Sequence, residues 1–406
     1  MSGLTLNVVI VGAGLGGLAA AIGIQRAGHK VGAGIQIPPN AARILSQWGL
    51  IPSLAKHSKI PIATNFRSWK DGQLRYRACL QLKERFGTDF FNIHRADVHG
   101  DLVEAAEALG VVFRLGATVE DIDFHTASVT LKGGEIVKGD VVIGADGQNS
   151  ACKEILLGHK VSPLPTGDLA YRLTVRESDM RKHPSLHPLL ESGTTDLWMG
   201  PDAFLVGYLL KEAGFYNIAL ICPDTLPEAV NIAKATPMEM QEVLADWDPQ
   251  LQTLLGLVEK TQKWRMLTSE EMECWGHKGG KFVLMGDAAH AGLPYIAQGA
   301  AQAIEDAGVL SALFAKITHP SQLPRVLKLY EKLRKPRTSR IVQASFDQGV
   351  AYMLPDGLEQ RERDRKLAVK GAKQLPIRSI DPAFQAWMLG HDCVAEAERA
   401  WEEGDG

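Results

Sequence analysis

The sequence predicts an α/β protein in which a parallel, dinucleotide-binding sheet is interrupted by an antiparallel one and followed by helices. Three observations carry that expectation. An apolar strand runs into a glycine turn and a helix at the N-terminus. A β-rich, partly alternating texture fills the middle. A second apolar strand, KFVLMG, then returns to the first pattern.

The elements follow in order. Leu6–Val11 is a short continuous apolar run, the signature of a buried parallel strand. Gly12-Ala-Gly14-Leu-Gly16-Gly17 follows it, and the spacing predicts a helix over Gly16–Ala27 with Gly28 as its cap. Gly12 allows a tight turn, Gly14 lets the backbone approach a pyrophosphate, and Gly17 lets the helix pack on the strand. The helix N-terminus offers free N–H groups and partial positive charge to the phosphates. A second helix is expected over 40–48 and a third over Val98–Leu109. VVFRL, TVEDIDF and ASVTLK read as strands, the Gly133-Gly134 pair as a hairpin turn, and Asp140–Ile143 as a buried strand. That strand ends in GADG, and Ser150 is placed to cap the next helix.

From about Leu156 to Gly279, segments such as TTDLWMG, AFLVGYLL and FYNIALIC predict an inserted antiparallel sheet. KFVLMG then runs into Gly286-Asp287, a loop with Pro294 and Gly299, and a small-residue helix over Gly299–Ile317. Asp287, at the end of a strand, is placed to accept hydrogen bonds from sugar or ribitol hydroxyls. The new helix N-terminus can stabilise negative charge on a reduced flavin ring. A charged helix is expected over Leu323–Gln348, and the last fifty or so residues should be partly loose. The expected domains are therefore 1–155 with 280–320, then 156–279, then 321–406.

Composition excludes several classes. A net charge of -3 provides no basic surface for nucleic acid. The five cysteines contain no CxxC pair, so neither a metal site nor a disulfide framework is expected. The uncharged N-terminus lacks a basic leader and is interrupted by glycines, and no segment reads as a membrane span. A cytoplasmic enzyme, monomeric or homodimeric, is the expectation.

GxGxxG, then GADG, then GDAAH…P…QGA, in this order and spacing, resembles the single-component FAD-dependent aromatic hydroxylases of the salicylate and para-hydroxybenzoate hydroxylase type. GAGIQIPPNAARIL, NIHRADVHGDLVEA, GDLAYR, YEKLRKPR and LPDG are similar to its fungal salicylate-hydroxylase-like branch, and the likeness runs nearly the whole chain. It implies a Rossmann-like FAD-binding domain, with the inserted sheet holding the substrate. It further implies that Gly12, Gly14, Gly17, Arg95, Asp146, Gly286 and Asp287 bind FAD, that Pro294 through Gly299 and Ala300 line the isoalloxazine, and that Ala33 and Gly34 pass beside the cofactor with Asn40 nearby. NADH or NADPH would reduce the flavin, and oxygen would be inserted into a small aromatic substrate, a phenol or aryl carboxylate. Such a site must exclude water and hold the substrate as an anion.

For that second task Arg172 is the candidate anchor, since a guanidinium forks a carboxylate or phenolate well. Tyr208, on an alternating strand, is the candidate hydrogen-bonder to the substrate oxygen. Tyr295 and His290 flank the flavin loop, with His290 expected to be a structural hydrogen-bonder, and Trp198 and Phe204 are expected to wall the pocket.

One element of the family pattern is missing. After GHKV a strand of the form TVLE should end in a glutamate that grips the adenosine ribose, about 20 residues beyond the glycine motif. Here Val31 passes straight to GAGIQ, and no Asp or Glu occurs before Asp71. The second strand region is thus shortened, and a catalytically impaired relative is the competing expectation.

Overall fold

The structure is a computed structural model and describes residues 5–22, 34–210 and 212–404. In chain order, its two principal sheets use β1 (Val8–Val11), β2 (Ala63–Ser68), β3 (Leu74–Cys79), β4 (Val141–Gly144), β5 (Leu164–Arg176), β6 (Thr195–Gly200), β7 (Ala203–Leu210), β8 (Phe215–Pro223), β9 (Ile232–Ala235), β10 (Thr261–Thr268) and β11 (Phe282–Leu284). The helices that matter below are α1 (Leu15–Ile22), α2 (Pro39–Gln47), α3 (Arg95–Ala108), α4 (Ala151–Leu157), α5 (Gly299–Phe314) and α6 (Leu323–Tyr352).

β1, β4 and β11 form a parallel sheet in the order β1-β4-β11. Val141–Ile143 and Phe282–Leu284 are fully buried, as strands covered on both faces must be. β1 differs, since all four of its residues are only half-buried. Among the described residues nothing pairs with its outer edge. Gly34–Ile37 does form a strand, but it pairs antiparallel with Phe91–His94 and not with β1.

The expected strand VVFRL does not form. Val111 and Phe113 pack on the core, whereas Val112 is 84% and Leu115 60% exposed. A strand with no neighbour leaves its backbone groups to water, so an apolar run without a partner stays irregular. The two neighbouring expectations hold, as Val119–Asp123 and Ser128–Leu131 pair antiparallel. Gly133 and Gly134, at φ +99 and +86, turn the latter into Ile136–Lys138 through a three-residue connection in which glycine supplies the positive φ.

The large sheet has eight strands in the order β9-β10-β5-β8-β7-β6-β2-β3. Its pairs are antiparallel except β6 with β2. It also takes in β2 and β3 from before residue 156, which periodicity in the middle segment could not reveal. Alternation gives it two buried faces. Leu169, Tyr171, Leu173 and Val175 face one cluster, while Ala170, Phe204 and Ile221 face another that includes Leu293 and Tyr295 of the loop after β11.

The C-terminal segment is not loose. Helices Leu358–Leu367, Pro382–Leu389 and Cys393–Glu402 bury Leu367, Phe384, Met388, Leu389, Cys393 and Ala397. A few well-spaced anchors suffice when each helix packs against a larger body, despite a polar average. None of the described helices is long and apolar enough to cross a membrane.

Candidate active site

The glycine turn is built by steric necessity at two positions. Gly12 has φ +111, and a side chain there would meet the Ala145 carbonyl oxygen at 2.4 Å. At Gly17 a Cβ would lie 2.0 Å from the Gly12 carbonyl oxygen, so helix and turn touch directly. Gly14 and Gly299 behave differently. Neither has a positive φ, and a Cβ at either would meet no protein atom within 4 Å. The fold itself does not require glycine there, yet each stands at the start of a helix, α1 or α5, whose N–H groups are free. Open space at a helix N-terminus, kept clear by glycine, fits an anionic cofactor lying against the backbone. Replacing Gly14 with alanine is therefore expected to leave thermal unfolding of the apoprotein within about 1 kcal/mol and to weaken FAD about tenfold, roughly one lost hydrogen bond. Flavin titration by fluorescence quenching, beside a melting curve, checks both.

Asp146 caps rather than dangles. Its carboxylate accepts from Ser150 Oγ at 2.5 Å and from the Cys152 N–H at 3.0 Å, while Ser150 Oγ caps α4 by accepting from the Lys153 N–H. Gly286, at φ +59, turns the chain out of β11, and its N–H donates to Asp306 at 2.8 Å. His290 bonds the same carboxylate at 2.7 Å, so it is a structural hydrogen-bonder, as expected. Burial would raise Asp306, but His290 and Arg334 outweigh it and hold the acid below its usual range.

Asp287 is exposed by surface area yet crowded by protein, which raises its carboxyl above the ordinary value. Such a group stays accessible to a ligand although protein surrounds it. Three cations lie within electrostatic reach of it and oppose that shift: His290 when protonated, Arg95 and Lys153. The sequence expectation missed Lys153. It is 3% exposed, its ammonium donates to Ser269 Oγ at 3.4 Å, and desolvation lowers its pKa against the pull of Asp146, Glu154 and Asp287. Its one visible signal was a lysine in the first turn after GADG.

Arg95 links Asp287 to the large sheet, because it is also within electrostatic reach of Arg172. Arg172 is exposed by area, but desolvation first, and Arg95 second, lower its pKa. Neither guanidinium has a carboxylate partner among the described residues. Register places Arg172 opposite Ala219 and Ala219 opposite Val206, while Thr174, Asn217 and Tyr208 form the next row on that face. Ala219 and Val206 are half-open amid buried neighbours, so two small side chains form the floor of a recess. Arg172, Phe204 and Tyr208 surround it. Burial pushes the Tyr208 phenol well above its usual value, so it stays neutral, and its hydroxyl has no hydrogen bond among the described residues.

The loop after β11, expected to line the isoalloxazine, closes over the same face. Tyr295 meets Phe204 edge-on at 5.1 Å, and its hydroxyl donates to Asp168 at 2.7 Å. Pro294 opens a short helical turn and Ala300 lies in the first turn of α5. Trp198 does not wall this recess. It pairs with Leu205 on the opposite face, fully buried, and its indole N–H donates to Asp248 at 2.9 Å. Gly34 begins the short strand beside His94, whereas Ala33 and the junction after Val31 lie outside the described residues.

Residues 216–345 match the family described as "FAD binding domain". The chain is 35% identical to the FAD-dependent monooxygenase OpS4 of Beauveria bassiana, with 97% of each chain covered. That alignment runs over 416 positions, more than the 406 residues present here, so the relative has residues this chain lacks. A 3-hydroxybenzoate 6-hydroxylase of Polaromonas naphthalenivorans is 31% identical, covering 88% of this chain and 91% of its own. The solved substrate complex of a salicylate hydroxylase superposes with a TM-score of 0.81 at 26% identity, over 97% of this chain and 98% of the other. These relatives are named as enzymes, and none supports a non-catalytic role for the chain. With a glycine turn open for a cofactor and a likeness to such enzymes over nearly the whole chain, the chain belongs to the FAD-dependent aromatic hydroxylases, a family of flavoprotein monooxygenases.

Proposed function

We propose that the chain hydroxylates a small phenolic aryl carboxylate, using NADH or NADPH as reductant. The carrying observation is that Arg172, which lies over the Trp264 ring and has no carboxylate partner among the described residues, shares the sheet face beside the Pro294–Ala300 loop with a neutral Tyr208 whose hydroxyl has no hydrogen bond among those residues. FAD, when bound, supplies the two-electron reduction and the activation of oxygen.

The chain's own residues account for the rest. Arg172 forks the substrate carboxylate, an interaction strengthened by the low-dielectric surroundings that already depress its own pKa. Tyr208 donates to, or accepts from, the ring oxygen, and thereby orients the ring. Ala219 and Val206 present small side chains to the substrate ring, while Phe204 packs against Tyr295 and Tyr352 and keeps water away. Arg95, Asp146 and Asp287 are assigned to the cofactor, as are the Gly12–Gly17 turn, Gly286 and the Pro294–Ala300 loop. The names of two relatives point the same way, since salicylate and 3-hydroxybenzoate are both hydroxylated benzoates.

The test is nicotinamide oxidation by FAD-loaded protein with salicylate, 3-hydroxybenzoate, benzoate and phenol, together with product analysis under labelled oxygen. Hydroxybenzoates are expected to stimulate oxidation and to acquire one oxygen atom from O2. Equal turnover of phenol and hydroxybenzoate would remove the case for anion recognition.

A further inference from the structure

Behind the flavin loop, α5 and α6 are joined by Glu305, Asp306, Arg334 and Arg337, all buried. Arg334 Nη1 donates to Glu305 at 2.5 Å, and Arg337 donates to both Glu305 oxygens at 2.7 and 2.8 Å. Burial alone would favour a neutral acid, but the two guanidiniums hold Glu305 well below the usual carboxylate range. Glu305 is thus purely an acceptor, and the guanidiniums purely donors.

That polarity propagates outward through three amides. Asn40 Nδ2 lies 2.6 Å from Glu305 Oε1 and must be the donor. Gln302 Oε1 accepts from Arg334 Nη2 at 2.7 Å, which turns its Nε2 toward Gln298 Oε1 at 2.9 Å. Gln298 Oε1 also accepts from Asn40 Nδ2 at 3.0 Å. Flipping Asn40 would set oxygen against a carboxylate, and flipping Gln298 would set donor against donor. One acceptor and one donor, Asn40 Oδ1 and Gln298 Nε2, are left buried without partners among the described residues. Gln298 immediately precedes Gly299, the first residue of α5, and Asn40 lies in the first turn of α2.

We propose that Glu305 is a positioning residue for the flavin loop: by setting the orientation of the Asn40 and Gln298 amides, it holds the backbone of 298–300 in place for the cofactor. The proposal rests on the assignment of Pro294–Ala300 to the isoalloxazine. It accounts for a buried ionic cluster at a site where apolar packing would hold two helices together as well.

Two substitutions at one position separate polarity from packing. Glu305→Gln keeps the size but removes the charge and turns one of the two acceptor oxygens into a donor, so that a donor must face either the arginines or Asn40, whereas Glu305→Asp keeps the charge and shortens the side chain. In FAD-loaded protein, Glu305→Gln is expected to shift the visible flavin spectrum and to lower severalfold the fraction of nicotinamide oxidation that yields product. Glu305→Asp should remain close to the unsubstituted protein. The reverse order marks a packing role and overturns the proposal. Should Glu305→Gln not fold, Asn40→Asp leaves the arginines paired, places an acceptor against Glu305 and is expected to give the same spectral shift. An unchanged spectrum and coupling in Asn40→Asp also overturn the proposal. Gly299→Ala, which has room for its methyl group, separates the two levels. If it alters the spectrum while the Glu305 and Asn40 variants do not, the loop assignment stands and the positioning role falls. If it too is silent, the loop assignment falls and takes the proposal with it.

Discussion

Arg172→Met is expected to leave FAD bound with an unchanged spectrum and to raise KM for a hydroxybenzoate about 100-fold or more. Hydrogen bonds to a charged group contribute about 1.5–3 kcal/mol each, and a guanidinium fork makes two of them. At about 1.4 kcal/mol per tenfold, their loss amounts to two orders of magnitude or more. Methionine preserves much of the side-chain volume, so the sheet should remain intact. The floor residues Ala219 and Val206 carry no polar group that could replace the fork. A second readout separates anchoring from general damage: the preference for hydroxybenzoate over phenol should collapse, because phenol never used the fork. A variant that keeps this preference would move the anchor elsewhere, and Arg95, the other guanidinium in electrostatic reach, would be the next candidate.

Inserting a strand-forming segment of about a dozen residues that ends in glutamate, between Val31 and Gly32, is expected to tighten FAD about 100-fold. The estimate comes from the two charge-assisted hydrogen bonds a ribose diol would gain. Stability should rise with it. β1 is half-buried where its sheet neighbours are fully buried, and Val112 and Leu115 stand exposed on a segment whose sequence favours a strand. A new parallel strand beside β1 would cover such surface, at about 25 cal/mol for each Å² of apolar area removed from water. Flavin titration and melting curves of the two proteins measure the effects separately. An insertion that raises the melting temperature but leaves FAD affinity unchanged would show that another group already holds the ribose. An insertion that changes neither would show that the outer edge of β1 is not a place for a strand.

Much of the cofactor site was legible because it depends on local rules. A glycine that must adopt φ +111, a serine three residues before the N–H it caps, and an acid at the end of a buried strand are each recognisable from neighbours in the chain. The order of GxGxxG, GADG and GDAAH then supplied the family. The substrate side was less legible. The expectation that Trp198 and Phe204 both wall the pocket failed, because pairing Trp198 with Leu205 puts the two on opposite faces, and which face meets the Pro294–Ala300 loop is not written in either strand. That choice depends on how the sheet docks, which is visible only in the Phe204–Tyr295 ring contact and the Tyr295–Asp168 hydrogen bond.

The fate of VVFRL shows the same division. Its composition favours a strand, yet a strand exists only when a neighbour pairs with it, and among the described residues none does. The Glu305 cluster was invisible for a related reason, since its members lie up to 32 residues apart on two helices and meet only once these pack. Local sequence by itself determined the strand–turn–helix units and the polar groups offered to a cofactor, because backbone sterics and capping act over a few residues. Tertiary structure alone decided which sheet face became the substrate recess, which apolar run lost its strand and which amides were locked, because pairing, burial and charge compensation require partners that the chain brings together only on folding.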